Sequence, residues 1–200
     1  MESESASYDL IRLEKRLKKR LDQNRFHHTL GVMYTAAAMA MAHELDIIQA
    51  QTAGLLHDCA KCISDRRKLQ MCEEYNIPMT AYEKDHPYLL HSKLGAYLAN
   101  TRYGISDQKI LNAITWHTTG KPDMTNLEKV IFIADYIEPG RDKAPNLTEI
   151  RKLAFIDLDE CTYRILRDTM HYLRDQSDSM DETTEEAYLY YSNYHNSREE

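Results

Sequence analysis

The sequence predicts an all-α protein, and three observations carry that reading. Only six glycines and five prolines interrupt 200 residues. Apolar side chains recur at intervals of three and four nearly throughout, and strand-like alternation is nowhere sustained. At this length one domain is expected, with enough buried core to fold without a structural metal.

The helices follow in order. Residues 8–22 place Leu10, Leu13, Leu17 and Leu21 on one stripe, with lysines and arginines opposite as a solvated face. A second helix over 25–44 carries Thr35-Ala36-Ala37-Ala38, small enough for a neighbour to approach closely. Asp46 with Gln49 forms a capping box for a helix reaching residue 60, and Ser64 and Ser106 read as N-caps of two later helices. Pro87 suits the first turn of a helix over 88–101. Thr125 with Glu128 opens the next, which Pro139-Gly140 closes, and Asn146 with Glu149 starts a long helix to residue 175. After an acidic break near Asp178 to Glu182, Tyr188-Leu189-Tyr190-Tyr191 predicts a final short helix. No repeat and no second domain is visible. The N-terminal helix within 1–22 is expected to pack on a core over 23–176, with 177–200 as an acidic break and Tyr-rich segment.

A formal net charge of −7 argues against non-specific binding to nucleic acid or an anionic membrane, so a phosphate ligand needs a local positive site. No run of roughly 18 apolar residues is present to span a bilayer, and Met1-Glu2-Ser3-Glu4-Ser5 lacks the features of a secretion signal. A soluble cytoplasmic protein is expected, with neither DNA nor membrane as partner. Four cysteines, at 59, 62, 72 and 161, are too few and irregular for a disulfide scaffold. Cys59-Ala60-Lys61-Cys62 spells C-x-x-C, but without a second pair or a preceding strand it reads as packing.

The chemistry lies elsewhere. Asp135 is the only charged residue in Val130-Ile131-Phe132-Ile133-Ala134-Asp135-Tyr136-Ile137, and His57-Asp58 ends the apolar segment Ala53-Gly54-Leu55-Leu56. Burying carboxylates in such company costs several kcal/mol unless a cation or strong donors meet them. A metal ion answers that need; for Asp135, so does an ion pair with Arg25 or Arg141. Ala50, Gly54, Asp58 and Lys61 share roughly one helical face, whose small residues leave room for a ligand. His28, His91 and His117 lie on other helices, and a nitrogen and oxygen donor set without thiolate suits Fe, Mn, Zn, Co or Ni. His43, His171 and His195 read as ordinary surface or hydrogen-bonded residues.

The order His28, His57-Asp58, Asp135 resembles the H…HD…D signature of the HD superfamily of metal-dependent phosphohydrolases. Five blocks carry a closer resemblance: Arg25-Phe26-His27-His28-Thr29-Leu30-Gly31-Val32, Gly54-Leu55-Leu56-His57-Asp58-Cys59-Ala60-Lys61, His91-Ser92-Lys93-Leu94-Gly95-Ala96, His117-Thr118-Thr119-Gly120 and Ala134-Asp135-Tyr136-Ile137-Glu138-Pro139-Gly140-Arg141. Together they are similar to the YqeK-type symmetrical dinucleoside-tetraphosphate hydrolases, over residues 25 to 141. Cys59 stands where that family often carries an aromatic residue.

The resemblance implies an HD-domain helical bundle with a di-iron centre in its core, and hydrolysis of diadenosine tetraphosphate to two ADP. It implies His28, His57, Asp58, His91, His117 and Asp135 as metal ligands, with Asp58 bridging and catalytic beside Lys61. It implies Arg25, His28, Gly31, Lys61, His91, His117, Thr118, Tyr136 and Arg141 around the substrate, and ADP or GDP as product. Two metals roughly 3.5–4 Å apart would hold a bridging hydroxide and clamp the phosphoryl oxygens. Mn, Co, Ni or Zn are expected to substitute in vitro. Other readings stay open: an HD phosphohydrolase acting on a deoxynucleoside triphosphate, a guanosine polyphosphate or a cyclic nucleotide, or a nucleotide sensor without turnover. The amphipathic terminal helices leave a homodimer open as well.

Overall fold

The computed structural model describes residues 8–176 and 180–199, all helix and connecting turns without a strand among them. Asp9 caps α1 (Leu10–Leu17) through the Arg12 backbone N–H at 2.9 Å. The helix stops short of the expected residue 22, but the turn after it still buries Leu21 with Leu13 and Leu17. Its basic face is not wholly solvated, because Arg16 donates to the Arg102 carbonyl at 2.6 Å and lies over the Tyr103 ring.

Asp22 caps α2 (Gln23–Ala42), which packs on α3 (Ile47–Leu56). The helices approach closely at Gly54, where a Cβ would lie 3.0 Å from the Met33 Cα. The space beside Gly54 is therefore filled by α2 backbone and is not room for a ligand, as the sequence had suggested. Gly54→Ala should lower stability by about 1–3 kcal/mol through overpacking, despite alanine's better helix propensity. A denaturant titration showing equal or greater stability would contradict this packing.

Asp46 caps α3 through the Gln49 N–H at 3.0 Å, while the Gln49 side chain reaches across to Asp107. The helix ends at Leu56, not near residue 60. His57 Nδ1 donates to the Gly54 carbonyl (2.7 Å), the acceptor that the Asp58 N–H would use in a continuing helix. Tight i to i+3 turns then carry the chain through Lys61 and Ile63.

Ser64 precedes α4 (Asp65–Glu74) as expected, without a side-chain capping bond. Thr80 and Glu83 form a capping box on α5 (Ala81–Asp85), a short helix absent from the sequence reading. Pro87 opens a single 3-10 turn, so α6 (His91–Thr101) starts three residues later than predicted. Asp107, not Ser106, caps α7 (Gln108–Trp116), its carboxylate accepting from the Lys109 N–H. The Thr125 and Glu128 capping box opens α8 (Asn126–Ile137) as expected.

The predicted long helix from Asn146 is two, α9 (Leu147–Leu153) and α10 (Leu158–Gln176). Asp157 starts the second by accepting from the Asp159 and Glu160 N–H groups. Asn146 itself adopts φ 57° and turns its amide to Asp168. Part of the expected acidic break, residues 177–179, lies outside the described residues. The terminal helix α11 (Glu182–Glu199) is far longer than the Tyr188 to Tyr191 segment expected. It packs along α10, with Tyr163 stacked on His195, and Tyr191 is buried with its hydroxyl accepting from the Met124 N–H.

The apolar α8 occupies the centre, against α2, α3, α7 and α10. One hydrophobic cluster extends from Leu13 to Tyr191, so both terminal helices share the same core. No helix among the described residues is long and apolar enough to cross a membrane.

Candidate metal centre and substrate cleft

Five helices bring six polar side chains together inside the bundle. His28 projects from α2, His57 and Asp58 follow α3, His91 begins α6, His117 follows α7 and Asp135 lies near the end of α8. They offer donor atoms in three overlapping groups, His28 with His57 and Asp58, His57 with His117 and Asp135, and Asp58 with His91 and His117. Within each group the atoms lie within 4.8 Å of one another. All six residues expected as ligands therefore share one cluster.

The protonation pattern is imposed from outside the cluster. His57, His91 and His117 each turn Nδ1 to a carbonyl three residues earlier, of Gly54, Tyr88 and Ile114, at 2.7, 2.6 and 2.7 Å. His28 Nδ1 meets Glu138 Oε1 at 3.1 Å. Carbonyl and carboxylate oxygens only accept, so each Nδ1 carries its hydrogen and each neutral ring turns a bare Nε2 lone pair inward. The His91 and His117 Nε2 atoms stand 3.1 Å apart, while His28 Nε2 lies 3.0 Å from Asp135 Oδ1 and His91 Nε2 lies 3.3 Å from Asp58 Oδ1. His28 Nε2, His57 Nε2 and Asp58 Oδ1 are buried without a hydrogen-bond partner. Converging acceptors of this kind need cations, and neutral imidazoles with carboxylates are suitable divalent-metal ligands.

A ring that carries a second proton in place of a metal favours the ionised form of the carboxylate it faces. Burial would raise the Asp58 carboxyl, but the facing His57, His117 and His91 rings hold it well below the ordinary carboxylate range. Burial also opposes ionisation of Asp135, and the facing His28 and His57 outweigh it and lower its pKa. Burial pushes His91 down to about 4, which keeps this ring neutral and available as a ligand.

Cations border the cluster. Arg25 pairs with Asp58 Oδ2 and Arg141 with Asp135 Oδ1, each at 2.6 Å, so the ion-pair partners weighed for Asp135 divide between the two acids. Lys61 Nζ lies 3.2 Å from His91 Nε2, and burial lowers its pKa. Thr118 Oγ1 lies 3.2 and 3.1 Å from the Nε2 atoms of His91 and His117. A cavity of about 340 Å³ opens beside His117 and Asp135, lined by Thr118, Tyr136, Arg141 and Lys143. A second, of about 410 Å³, lies between α2 and the turn after α8, where Gly31 and His27 face Glu138. Gly31 is thus beside the cluster's outer edge and not among the cations. Neither Glu138 nor Lys143 was among the residues expected at the site; Glu138 meets His28 only across the turn after α8.

The other polar candidates have ordinary roles. Cys59 is buried with its thiol pushed up to about 12 by burial, and it donates to the Gly95 carbonyl. Exposed Cys62 meets Asp22. His43 bonds the Ala154 carbonyl and His195 pairs with Glu160.

The helical bundle and its enclosed His and Asp cluster define a metal-binding hydrolase of the HD class, and the HD domain family matches residues 25–140. Over 158 residues the chain is 41% identical to "Bis(5'-nucleosyl)-tetraphosphatase, symmetrical" of Bacillus subtilis, covering 78% of this chain and 83% of that one. A protein of the same name from Staphylococcus aureus is 35% identical, covering 94% and 97%. A crystal structure described as a predicted HD superfamily hydrolase involved in NAD metabolism, from Clostridium acetobutylicum, superposes with a TM-score of 0.89 at 36% identity over 94% of this chain and 98% of that one. The chain belongs to the HD-domain family, in its branch of symmetrical bis(5'-nucleosyl)-tetraphosphatases.

Proposed function

We propose that this chain hydrolyses diadenosine tetraphosphate and related dinucleoside tetraphosphates symmetrically, giving two nucleoside diphosphates, at a di-iron centre held by His28, His57, Asp58, His91, His117 and Asp135. The observation that carries this reading is the set of four inward Nε2 lone pairs around two carboxylates. The substrate class follows the names of the relatives. Such a centre supplies a hydroxide nucleophile near neutral pH and positive charge against developing phosphoryl charge.

The chain's own residues bind and orient the substrate. Arg25 and Arg141 are placed to exchange part of their carboxylate contact for phosphate oxygens, which match guanidinium geometry. Lys61, at His91, stabilises phosphoryl charge, and Thr118 donates to it from the other side. Tyr136 and the 340 Å³ cavity hold a nucleoside half.

Lys61→Ala should lower turnover roughly 10–100-fold, the worth of a hydrogen bond to a charged group, while metal content stays near that of the unaltered protein. Parallel loss of both would make this lysine structural. The proposal as a whole is tested by product chromatography after incubation with diadenosine tetraphosphate. ADP alone supports symmetric cleavage, and AMP with ATP contradicts it. Turnover of a deoxynucleoside triphosphate or guanosine polyphosphate in its place would favour the other HD phosphohydrolase reading.

A further inference from the structure

We infer that Glu138 is the positioning residue for the first metal ligand, and that Gly31 and Gly140 are glycines because its carboxylate fills the space beside them. This rests on the metal-centre reading above. Glu138 is buried just beyond α8. Its Oε1 accepts from His28 Nδ1 at 3.1 Å and its Oε2 from the Gly140 N–H at 2.6 Å. Arg151 braces this turn by donating to the Ile137, Glu138 and Arg141 carbonyls at 2.9, 3.1 and 2.8 Å. A Cβ on Gly31 would lie 2.5 Å from Glu138 Oε2, and one on Gly140 would lie 2.9 Å from Oε1. Residues on two separate segments thus leave room for one carboxylate.

The chemistry of the pair explains the arrangement. His57, His91 and His117 each find an acceptor one turn back in their own segment. His28 instead takes its acceptor from a residue 110 positions away. A carboxylate cannot donate, so it holds the proton on Nδ1 and leaves the Nε2 lone pair facing Asp58 and Asp135. In Glu138→Gln one oxygen becomes an NH2 group. An NH2 at the 2.6 Å Gly140 contact would set donor against donor, whereas His28 can switch tautomer, so the NH2 faces His28 and favours the tautomer protonated on Nε2, which leaves no lone pair toward the cluster. In Gly31→Ala the added methyl displaces the carboxylate from His28, while alanine favours α2 itself.

The test titrates Co2+ into the full-length wild-type, Glu138→Gln, Gly31→Ala and doubly substituted proteins, following the visible Co2+ absorption. Thermal melts of the metal-free proteins are recorded alongside. Each single substitution should weaken Co2+ binding about 10–100-fold, the usual effect of losing a partner that orients a ligand. The double substitution should be no weaker than Glu138→Gln, because both changes break one contact. Gly31→Ala should leave the metal-free melt unchanged or higher. Affinities within twofold of wild type in both variants would overturn the inference. So would losses that add in the double variant, or that track lowered metal-free melts, as expected of a carboxylate serving only to close the turn. Failure of the wild type to bind Co2+ would instead overturn the metal-centre reading, and this inference with it.

Discussion

Asp58→Ala is expected to remove hydrolysis and metal together. Asp58 has one oxygen toward His91 and His117 and the other toward His57 and His28, so it contributes to two of the three donor groups. The charge stabilisation that a metal centre supplies is worth several kcal/mol, and turnover should fall by roughly 10³-fold or more. The fold should survive, because the freed Arg25 is already partly exposed and can be solvated. Circular dichroism separates this from unfolding. A folded Asp58→Ala protein with full iron and full turnover would be incompatible with the assigned site.

Metal removal should have the second large effect, and it should depend on pH. A metal ion at a hundred times its dissociation constant stabilises the native state by about 2.7 kcal/mol, worth roughly 5–10 °C in a chain of this size. The metal-free protein should also be acid-sensitive. Burial lowers His91 from 6.5 to about 4, so between those values the unfolded chain binds a proton that the folded chain refuses. Stability is therefore fully present above pH 6.5 and is lost progressively toward pH 4. The lowered carboxyls of Asp58 and Asp135 act at more acidic pH, contributing stability above 3.8 that disappears below it. Protons compete with metal for the same nitrogens, so the thermal shift given by metal should shrink on acidification. Melts of chelated and metal-loaded protein from pH 7.5 to 4.5 check this; a constant shift, or a flat metal-free curve, would contradict it.

Which parts of this site were visible in the sequence depends on how local their physics is. Asp135 stands out because one charge sits in an apolar helix whose capping box is written into Thr125 and Glu128. His57-Asp58 stands out for a similar reason. The acceptors of His57, His91 and His117 are backbone carbonyls three residues earlier, and carbonyls have no sequence signature. Glu138 was missed because its role appears only when the turn after α8 packs against α2. Gly54 misled in the opposite direction, since its small size serves a helix contact.

The helix joints show the same division. Asp46, Ser64 and Thr125 mark true starts. The break between α9 and α10 has a local signal too, in Asp157 followed by Glu160, but continuous amphipathic spacing across it concealed the boundary. The extent of α11 is set by packing of Tyr188, Tyr191 and His195 against the rest of the molecule, which spacing alone does not reveal. Pro87 correctly announced a helical turn, but the regular helix waits until His91.

The most direct test of the central claim is the metal content of anaerobically purified protein, measured on the same sample as its hydrolysis of diadenosine tetraphosphate. Two iron ions per chain are expected, with activity lost on chelation and restored by adding the metal back. Full hydrolysis by a protein stripped of metal would contradict the claim.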